Sequence, residues 1–312
     1  RNLVEAAFFS YYPDVEVAEV PDYVDKIPPN IKELYAMDHD LWGAELVLRR
    51  EEAYPLRSYH DFEAPEEEQQ FDPISVFLEV LGKLGKEETV AMQFLIAPVS
   101  PREWPKEFDA LLQKLKEPKM KKEKKAGEVE SFARMIARSP GETDVLKAVE
   151  RNLSRPAFNT IIRLLYLSPR AAFSDHLPSR GVLSGFKQYE AADLNQFIPN
   201  FGTMTRARIW HFPYVFPARR VEYRKNRILR AFRTRETPVG PFMGRILTSY
   251  LFNWNFASHW SKLNTESLAT LYHPPTFLVL TAPHIKRVES RKGGPPAGLA
   301  IFGDEKNIEQ FQ

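Results

Sequence analysis

The 312-residue chain contains no cysteine, and this absence excludes several classes of protein. Without cysteine there is no disulfide framework, no zinc ribbon and no thiol nucleophile. Long apolar runs are also missing, since none approaches the roughly 20 residues that a membrane-spanning helix requires. No transmembrane helix is therefore predicted within the chain.

Motifs for catalysis and nucleotide binding are scarce as well. The nearest approach to a phosphate-binding loop, GKLGKEE from Gly82, has the wrong spacing and lacks a serine or threonine after its lysine. The seven histidines are scattered, and a solvated turn best explains the one beside two aspartates at residues 38–40. We predict no catalytic residue, no metal ligand and no cofactor. An enzyme of unrecognised type remains the alternative.

Charge is distributed unevenly along the chain. Residues 1–100 carry 8 Lys and Arg against 21 Asp and Glu, a net charge of −13. The remaining residues carry 35 against 20, a net charge of +15. Such asymmetry indicates either an acidic part packed against a basic part, or a basic face that binds an anionic partner such as nucleic acid or lipid headgroups.

The pattern of helices and strands predicts an α+β fold with two ferredoxin-like (split βαβ) subdomains containing mixed or antiparallel sheets. Residues 1–115 form the acidic subdomain, with the order α-β-β-α-β. Residues 116–127 are a lysine-rich linker, and residues 128–285 form the basic subdomain. In that second part we predict a central strand in FNTIIRLLYLSP, a helix in YEAADLNQFI and an edge strand in RILRAFRTRE. Residues 286–312 form an extended connector.

The stretch from Thr203 to Arg235 combines ten Lys and Arg with one acid and several aromatic residues. Guanidinium groups neutralise phosphates and aromatic rings stack on bases, so this composition is typical of a single-strand-binding groove. Alternatively, the aromatic rings fill the core while the arginines reach solvent or pair with the acidic part. The first candidates for contact with nucleic acid are Arg219, Arg220, Arg224, Lys225 and Arg227.

A short helix near the C-terminus has clear start and stop signals. Asn264 is a good N-cap residue, and Leu263 with Leu268 occupy the positions of a hydrophobic staple. Leu268, Leu271 and Tyr272 form one apolar stripe, and two consecutive prolines end the helix. About eight residues are too few for an isolated helix, which is marginal even at about 12–15 residues, so we predict that this helix is docked by tertiary contacts.

The same C-terminal residues resemble a known family. LNTESLATLYHPP followed by RVESRKGGPPAGL is similar to the end of the N-terminal region that precedes an FtsK/HerA-superfamily P-loop ATPase in bacterial type IV secretion and conjugation-type proteins. YYPDVEVAEVPDY, DPISVFLEVLGKLGKEETVAMQFLIAPV and AFNTIIRLLYLSP resemble the same region in the same order. The resemblance implies that membrane-spanning helices precede this region and that the ATPase follows it. Since the sequence starts with arginine, we expect it to be part of a longer chain.

The resemblance implies a non-catalytic accessory region that positions a motor ATPase at the cytoplasmic face of the inner membrane. The expected partners are the protein's own C-terminal ATPase domain and neighbouring subunits of an oligomer, with membrane attachment through segments outside residues 1–312. No residue of this chain matches a catalytic position of the motor. The alternative function is a nucleic-acid-binding module that contacts DNA through residues 203–235.

Overall fold

The computed structural model describes residues 2–11, 18–62, 72–116, 140–206, 216–238 and 256–273. The chain forms two compact units, one comprising Arg1–Asp22 with Pro283–Gln312 and the other comprising Tyr23–Ala282. In the first unit, Asn2–Tyr11 form helix α1, as the sequence predicts. The remaining elements described below belong to the second unit.

Five strands form one antiparallel sheet in the order β2-β3-β1-β4, with β5 beside the first residues of β3. The strands are β1 (His39–Leu48), β2 (Thr89–Pro98), β3 (Ala157–Pro169), β4 (Phe197–Pro199) and β5 (Ser261–Asn264). β3 pairs with β2 along one edge and with β1 and β5 along the other. The predicted central strand is therefore confirmed.

The α+β class is also confirmed, but its strands are arranged differently from the prediction. β1 and β2 come from the acidic residues 1–115, and β3, β4 and β5 come from the basic residues 128–285. All five join one sheet, since β3 pairs with β2 along one edge and with β1 and β5 along the other, and its burial on both faces is typical of a central strand. The expected division into two ferredoxin-like subdomains is therefore not seen among the described strands. The linker after Lys116 and the connector 286–312 lie outside the described residues.

Helices and helical turns connect the strands and cover both faces of the sheet. The helices are α2 (Ile31–Ala36), α3 (Ile74–Gly82), α4 (Glu103–Lys106), α5 (Asp109–Lys116), α6 (Pro140–Ser154), α7 (Leu183–Gly185), α8 (Pro217–Arg233) and α9 (Thr265–Leu271). A π-helical turn at Leu177–Val182 precedes α7, and a 3-10 turn at Phe186–Tyr189 follows it.

Alternating side chains of the strands divide the core into two layers. One side, the α8 face, packs against α2 and α8 through a cluster that includes Leu165, Ile228 and Phe232. Gly43 permits close approach there, because a Cβ at this position would lie 2.9 Å from Cδ1 of Ile228. The other side, the α9 face, packs against α3, residues 177–189 and α9. A smaller cluster joins Trp104 of α4 to α6 near the start of β3.

Two predictions of secondary structure were wrong. Residues 227–236, predicted as an edge strand, lie mostly in the second half of α8, where buried Ile228, Leu229 and Phe232 recur at helical spacing. Residues 189–198, predicted as a helix, form a loop that leads into β4. The strand predicted at 14–20 and the apolar stretch 246–256 lie almost entirely outside the described residues.

Candidate functional site

Helix α9 begins where the sequence predicts. The side-chain oxygen of Asn264 accepts a hydrogen bond from the backbone N–H of Ser267 at 2.7 Å, which satisfies one of the free N–H groups of the first turn. The Thr270 hydroxyl donates to the carbonyl of Glu266 and accepts from the N–H of Tyr59, at 2.8 and 3.0 Å. The first two of these bonds lie within α9 and its cap, and the third joins α9 to Tyr59 in a distant part of the chain.

The apolar side of α9 is docked as predicted, with one exception. Leu263 and Leu271 are buried in the core of the α9 face, and Leu268 packs against the same core. Tyr272 was expected to share this stripe but is 70% exposed, because the backbone leaves the helix at that residue. Its ring lies 5.5 Å from the ring of Phe94 in β2. The last turn of α9 therefore reaches β2.

Ionic contacts fasten the first turn of α9. The Glu266 carboxylate lies 2.7 Å from Arg151 of α6, 3.8 Å from Arg155 and 3.5 Å from His60. Its side chain is only 9% exposed, which limits screening of these charges by solvent. These three partners of Glu266 were not predicted from the sequence. They are 111 to 206 residues away in the sequence, and nothing local indicates the contact.

A second contact fastens the C-terminal end of α9. Nε2 of His273 lies 2.9 Å from Oδ1 of Asp72, and Nδ1 lies 3.0 Å from the carbonyl oxygen of Ala269. The same Asp72 oxygen accepts a hydrogen bond from the N–H of Ile74 at the start of α3. This buried carboxylate therefore joins the start of α3 to the residue that follows α9.

A shallow cavity of about 220 Å³ lies between α6 and the start of α9. Lys147 and Arg151 of α6 line one side, and Asn264 and Ser267 line the other. The nearby carboxylate of Glu266 already pairs with Arg151, so the cavity wall has compensating charges. The cavity therefore lies between two helices that are joined by this ion pair. Its lining is not strongly positive, as the lining of an anion-binding site would be.

Two of the five candidate nucleic-acid contacts point into the protein. Arg220 and Arg224 of α8 are each 4% exposed. Nη1 of Arg224 donates to the carbonyl of Met204 at 3.2 Å. Burial, together with the charge of Arg220, lowers the pKa of Arg224 to about 10, and burial also lowers the pKa of Arg220. These guanidinium groups belong to the packed side of α8.

The other three candidates have partners within the chain. Nζ of Lys225 lies 2.5 Å from Oδ1 of Asp40 in β1, and Arg227 lies 3.0 Å from Glu236. Arg219 is exposed, and its guanidinium carbon lies 5.7 Å from the centre of the Phe216 ring. Asp40 belongs to the acidic part of the chain. The pairing of basic with acidic parts, one of the two interpretations of the charge asymmetry, is therefore seen at Lys225.

A buried polar row fixes the C-terminal end of α8 and was missed by sequence reasoning. It consists of Gln93, Arg163 and Glu45, which lie opposite one another on β2, β3 and β1. Nε of Arg163 donates to Glu45 at 2.7 Å, and Nη1 donates to the carbonyl of Ala231 at 2.8 Å. Nε2 of Gln93 donates to the carbonyl of Phe232 at 3.1 Å. These donors add side-chain hydrogen bonds to carbonyl groups of the last turn, which also accept the backbone N–H groups of Glu236 and Arg235.

The charge of Arg163 does not fully compensate for the burial of Glu45. Both side chains are at most 1% exposed. Burial raises the pKa of Glu45, and the nearby positive charge of Arg163 opposes that rise. Burial of this ion pair therefore costs free energy, and the hydrogen bonds from Arg163 to α8 offset part of that cost.

The geometry can now be compared with known proteins. A family model described as a domain of unknown function (DUF8128) matches residues 5–234, which is most of the chain. The chain belongs to the DUF8128 family. No curated protein and no solved structure matches it. The DUF8128 match includes β1 to β4 and α8, whereas β5 and α9 follow it in sequence and still pack into the same core.

Two further properties concern only the part of the DUF8128 chain that the structure describes. Within those residues, no helix is both long enough and apolar enough to cross a bilayer. Across the same ranges, no cluster of three or more histidine and carboxylate side chains is arranged to hold a metal ion. Among the described residues, the docked helix α9 is the candidate site, because it is held at both ends by side-chain contacts.

Proposed function

We propose that this DUF8128 chain is a non-catalytic scaffold region of a type IV secretion or conjugation-type motor ATPase. It positions the motor at the cytoplasmic face of the membrane and supports assembly of the oligomer. The sequence resemblance supplies the family context for this proposal. The observation that carries it is the attachment of α9 at both ends, through Glu266 and His273, to the folded sheet.

Attachment at both ends determines where the chain leaves the domain. A seven-residue helix is not stable in isolation, so α9 keeps its place only through contacts with the sheet and with α6. These contacts fix the position of His273, the last residue described before the C-terminal part of the chain. A fixed C-terminal end of this kind is what a scaffold for a following motor domain requires.

The arrangement of the arginines favours the scaffold over the nucleic-acid-binding alternative. A single-strand groove needs exposed cations beside exposed aromatic rings. Here Arg220 and Arg224 are buried, and Lys225 is paired with Asp40. Among the five candidates, this leaves Arg219 beside the exposed Phe216 as the one such arrangement. Three aromatic residues of the predicted stretch, Trp210, Phe212 and Tyr214, lie outside the described residues. We therefore retain DNA binding as an outcome to be tested and propose the scaffold role.

The test uses the full-length protein with its downstream coding sequence. A Walker A motif should follow within roughly 100 residues of Gln312, and the full-length protein should hydrolyse ATP. Leu271→Ala should loosen α9 and reduce the assembly or the stimulated activity of the motor, while the basal hydrolysis measured per active site is retained. Tyr272→Ala, at the exposed neighbouring position, is the matched control.

Three results would overturn the proposal. One is a coding sequence without a Walker A motif, and another is ATP hydrolysis by residues 1–312 alone. The third is salt-dependent binding of single-stranded DNA that is lost when Arg219 is replaced by alanine, since that would support the nucleic-acid alternative.

A further inference from the structure

The outer edge of β2 is the edge that faces away from β3. It is a candidate interaction site that is distinct from α9. Ten residues of β2, from Thr89 to Pro98, pair with β3 along one edge. Among the described strands, none pairs with the opposite edge of β2. An unpaired edge presents a row of backbone N–H and C=O groups that can accept another strand.

The sequence of β2 itself contains few of the features that protect natural edge strands from strand addition. No charged residue occurs between Thr89 and Pro98, and the only proline is the last residue. Natural edge strands are commonly short, or contain lysine, proline or a bulge. Ile96, near the end of β2, is 56% exposed. The edge is therefore long, neutral and partly apolar.

Two other strands of the sheet are better protected. β4 has three residues and ends in Pro199, so it offers little backbone for pairing. β5 has four residues and includes Lys262, whose backbone N–H already donates to Glu52 at 2.8 Å. If β2 paired with β4 or β5 of another chain, the paired stretch would therefore be short. The β2 strand of another chain offers ten uncharged residues for pairing.

We propose that β2 pairs in antiparallel fashion with β2 of a second copy of this chain. A twofold axis perpendicular to the sheet would relate the copies and join two five-stranded sheets into one. The partner is a second copy because both edges are ten residues long and uncharged, so no like charges oppose one another. This inference does not depend on the proposed motor.

The twofold axis also fixes which side chains meet. An axis perpendicular to the sheet keeps each face on its own side, so even-numbered residues oppose even-numbered residues. Val90, Met92 and Phe94 all pack against the core of the α9 face. With the axis near the centre of β2, the exposed Ile96 near one end would therefore lie opposite an apolar residue near the other end of the second copy, such as Val90. One residue near the centre of β2 would lie opposite itself.

Light scattering on the purified chain provides the first test. The unsubstituted chain should form a dimer, and Ile96→Lys should weaken it by roughly tenfold or more, because a charge is placed on the apolar edge. Met37→Lys is the matched control, since Met37 is also an exposed apolar residue, at 60%, and follows α2 rather than lying on β2. It should leave the dimer intact.

A cysteine scan provides a second test that does not rely on destabilising the dimer. The chain has no native cysteine, so a single cysteine placed in turn at positions 91–97 is the only thiol present. Directly opposed residues have Cβ atoms about 4.5–5.5 Å apart, so disulfide formation should peak at one position and fall on either side. Met37→Cys should remain uncrosslinked.

The outcomes separate clearly. A dimer that is lost in Ile96→Lys, kept in Met37→Lys and crosslinked at one β2 position supports the proposal. A chain that is monomeric throughout overturns it. A dimer that tolerates Ile96→Lys and shows no crosslinking maximum within β2 also overturns it, because the interface then lies elsewhere.

Discussion

The two faces of the sheet hold their helices in different ways. On the α8 face, the polar row places Arg163, Gln93 and Glu45 beneath the end of α8. On the α9 face, aromatic rings dominate, with Phe77 and Phe186 4.7 Å apart and edge to face. Hydrogen bonds are directional, so the row fixes the position of α8 along its axis. Packing of rings supplies burial with less directional control.

The helices that cover the two faces are also held at different places along their length. α8 is fixed at its C-terminal end from within the core, whereas α9 is fixed at both ends by contacts near the surface, through Glu266 and His273. The 17-residue α8 also has apolar packing and polar contacts along its length, whereas the seven-residue α9 depends more on the contacts at its two ends.

The largest expected effect comes from breaking the polar row. Arg163→Leu removes the ion pair and the hydrogen bonds to α8, and it leaves the carboxylate of Glu45 buried without a cation. We expect the free energy of unfolding to fall by about 3–5 kcal/mol, measured by denaturant titration. The double variant Glu45→Leu with Arg163→Leu should lose less than the single variant. An equal or greater loss in the double variant would contradict the cost assigned to the unpaired carboxylate.

A smaller effect is expected on the α9 face. Leu271→Ala removes a buried side chain from the core that supports α9, and we expect a loss of about 2–4 kcal/mol in the free energy of unfolding. Tyr272→Ala is the control, because Tyr272 is mostly exposed, and it should change stability by less than about 1 kcal/mol. Equal losses in the two variants would show that α9 is not seated as described.

The smallest effect concerns pH and distinguishes the two faces. On the α9 face, the Tyr166 hydroxyl donates to Glu88 at 2.5 Å, and this bond lowers the pKa of Glu88 below its ordinary value of 4.5. The unfolded chain therefore takes up the proton first, and the contribution of Glu88 to stability is lost as pH falls below about 4.5. In Glu88→Gln, the free energy of unfolding should therefore decrease less steeply as pH falls below about 4.5, measured by denaturant unfolding at a series of pH values.

Glu45 on the α8 face should behave in the opposite way. Its pKa is raised above 4.5, so the folded chain takes up the proton first, and the contribution of this group increases as pH falls from neutrality towards 4.5. Above pH 4.5, the pH dependence of the free energy of unfolding should be the same in Glu88→Gln as in the unsubstituted chain. A change above pH 4.5 in Glu88→Gln would show that the two groups are coupled.

Local patterns in the sequence predicted much of the fold. The apolar run of β3, the capped start of α9 and the helical spacing in α3 are each determined by neighbouring residues, and each is found in the structure. The capping role of Asn264 followed from residue type alone. These features required no knowledge of distant contacts.

Other features depend on contacts that local patterns do not contain. Residues 189–198 were predicted as a helix, but buried Asn195 donates to carbonyls of Arg50, Glu51 and Tyr54 and holds the segment as a loop. The second half of α8 was predicted as a strand because its start at Pro217 was overlooked as a helix signal. One sign in the sequence indicates that Arg163 has a buried partner, because it is the single charged residue within the apolar strand β3.

The position of β3 has a consequence for how the protein is made. Ala157 at the start of β3 pairs with Asn264, more than one hundred residues later. Strand pairs so distant in sequence form late, because a long loop must close first. During synthesis on a ribosome, one end of the central strand lacks its neighbour until β5 emerges. The nascent chain therefore presents an open sheet edge while residues 170–264 are translated, and chaperones that bind extended apolar segments would find their substrate there.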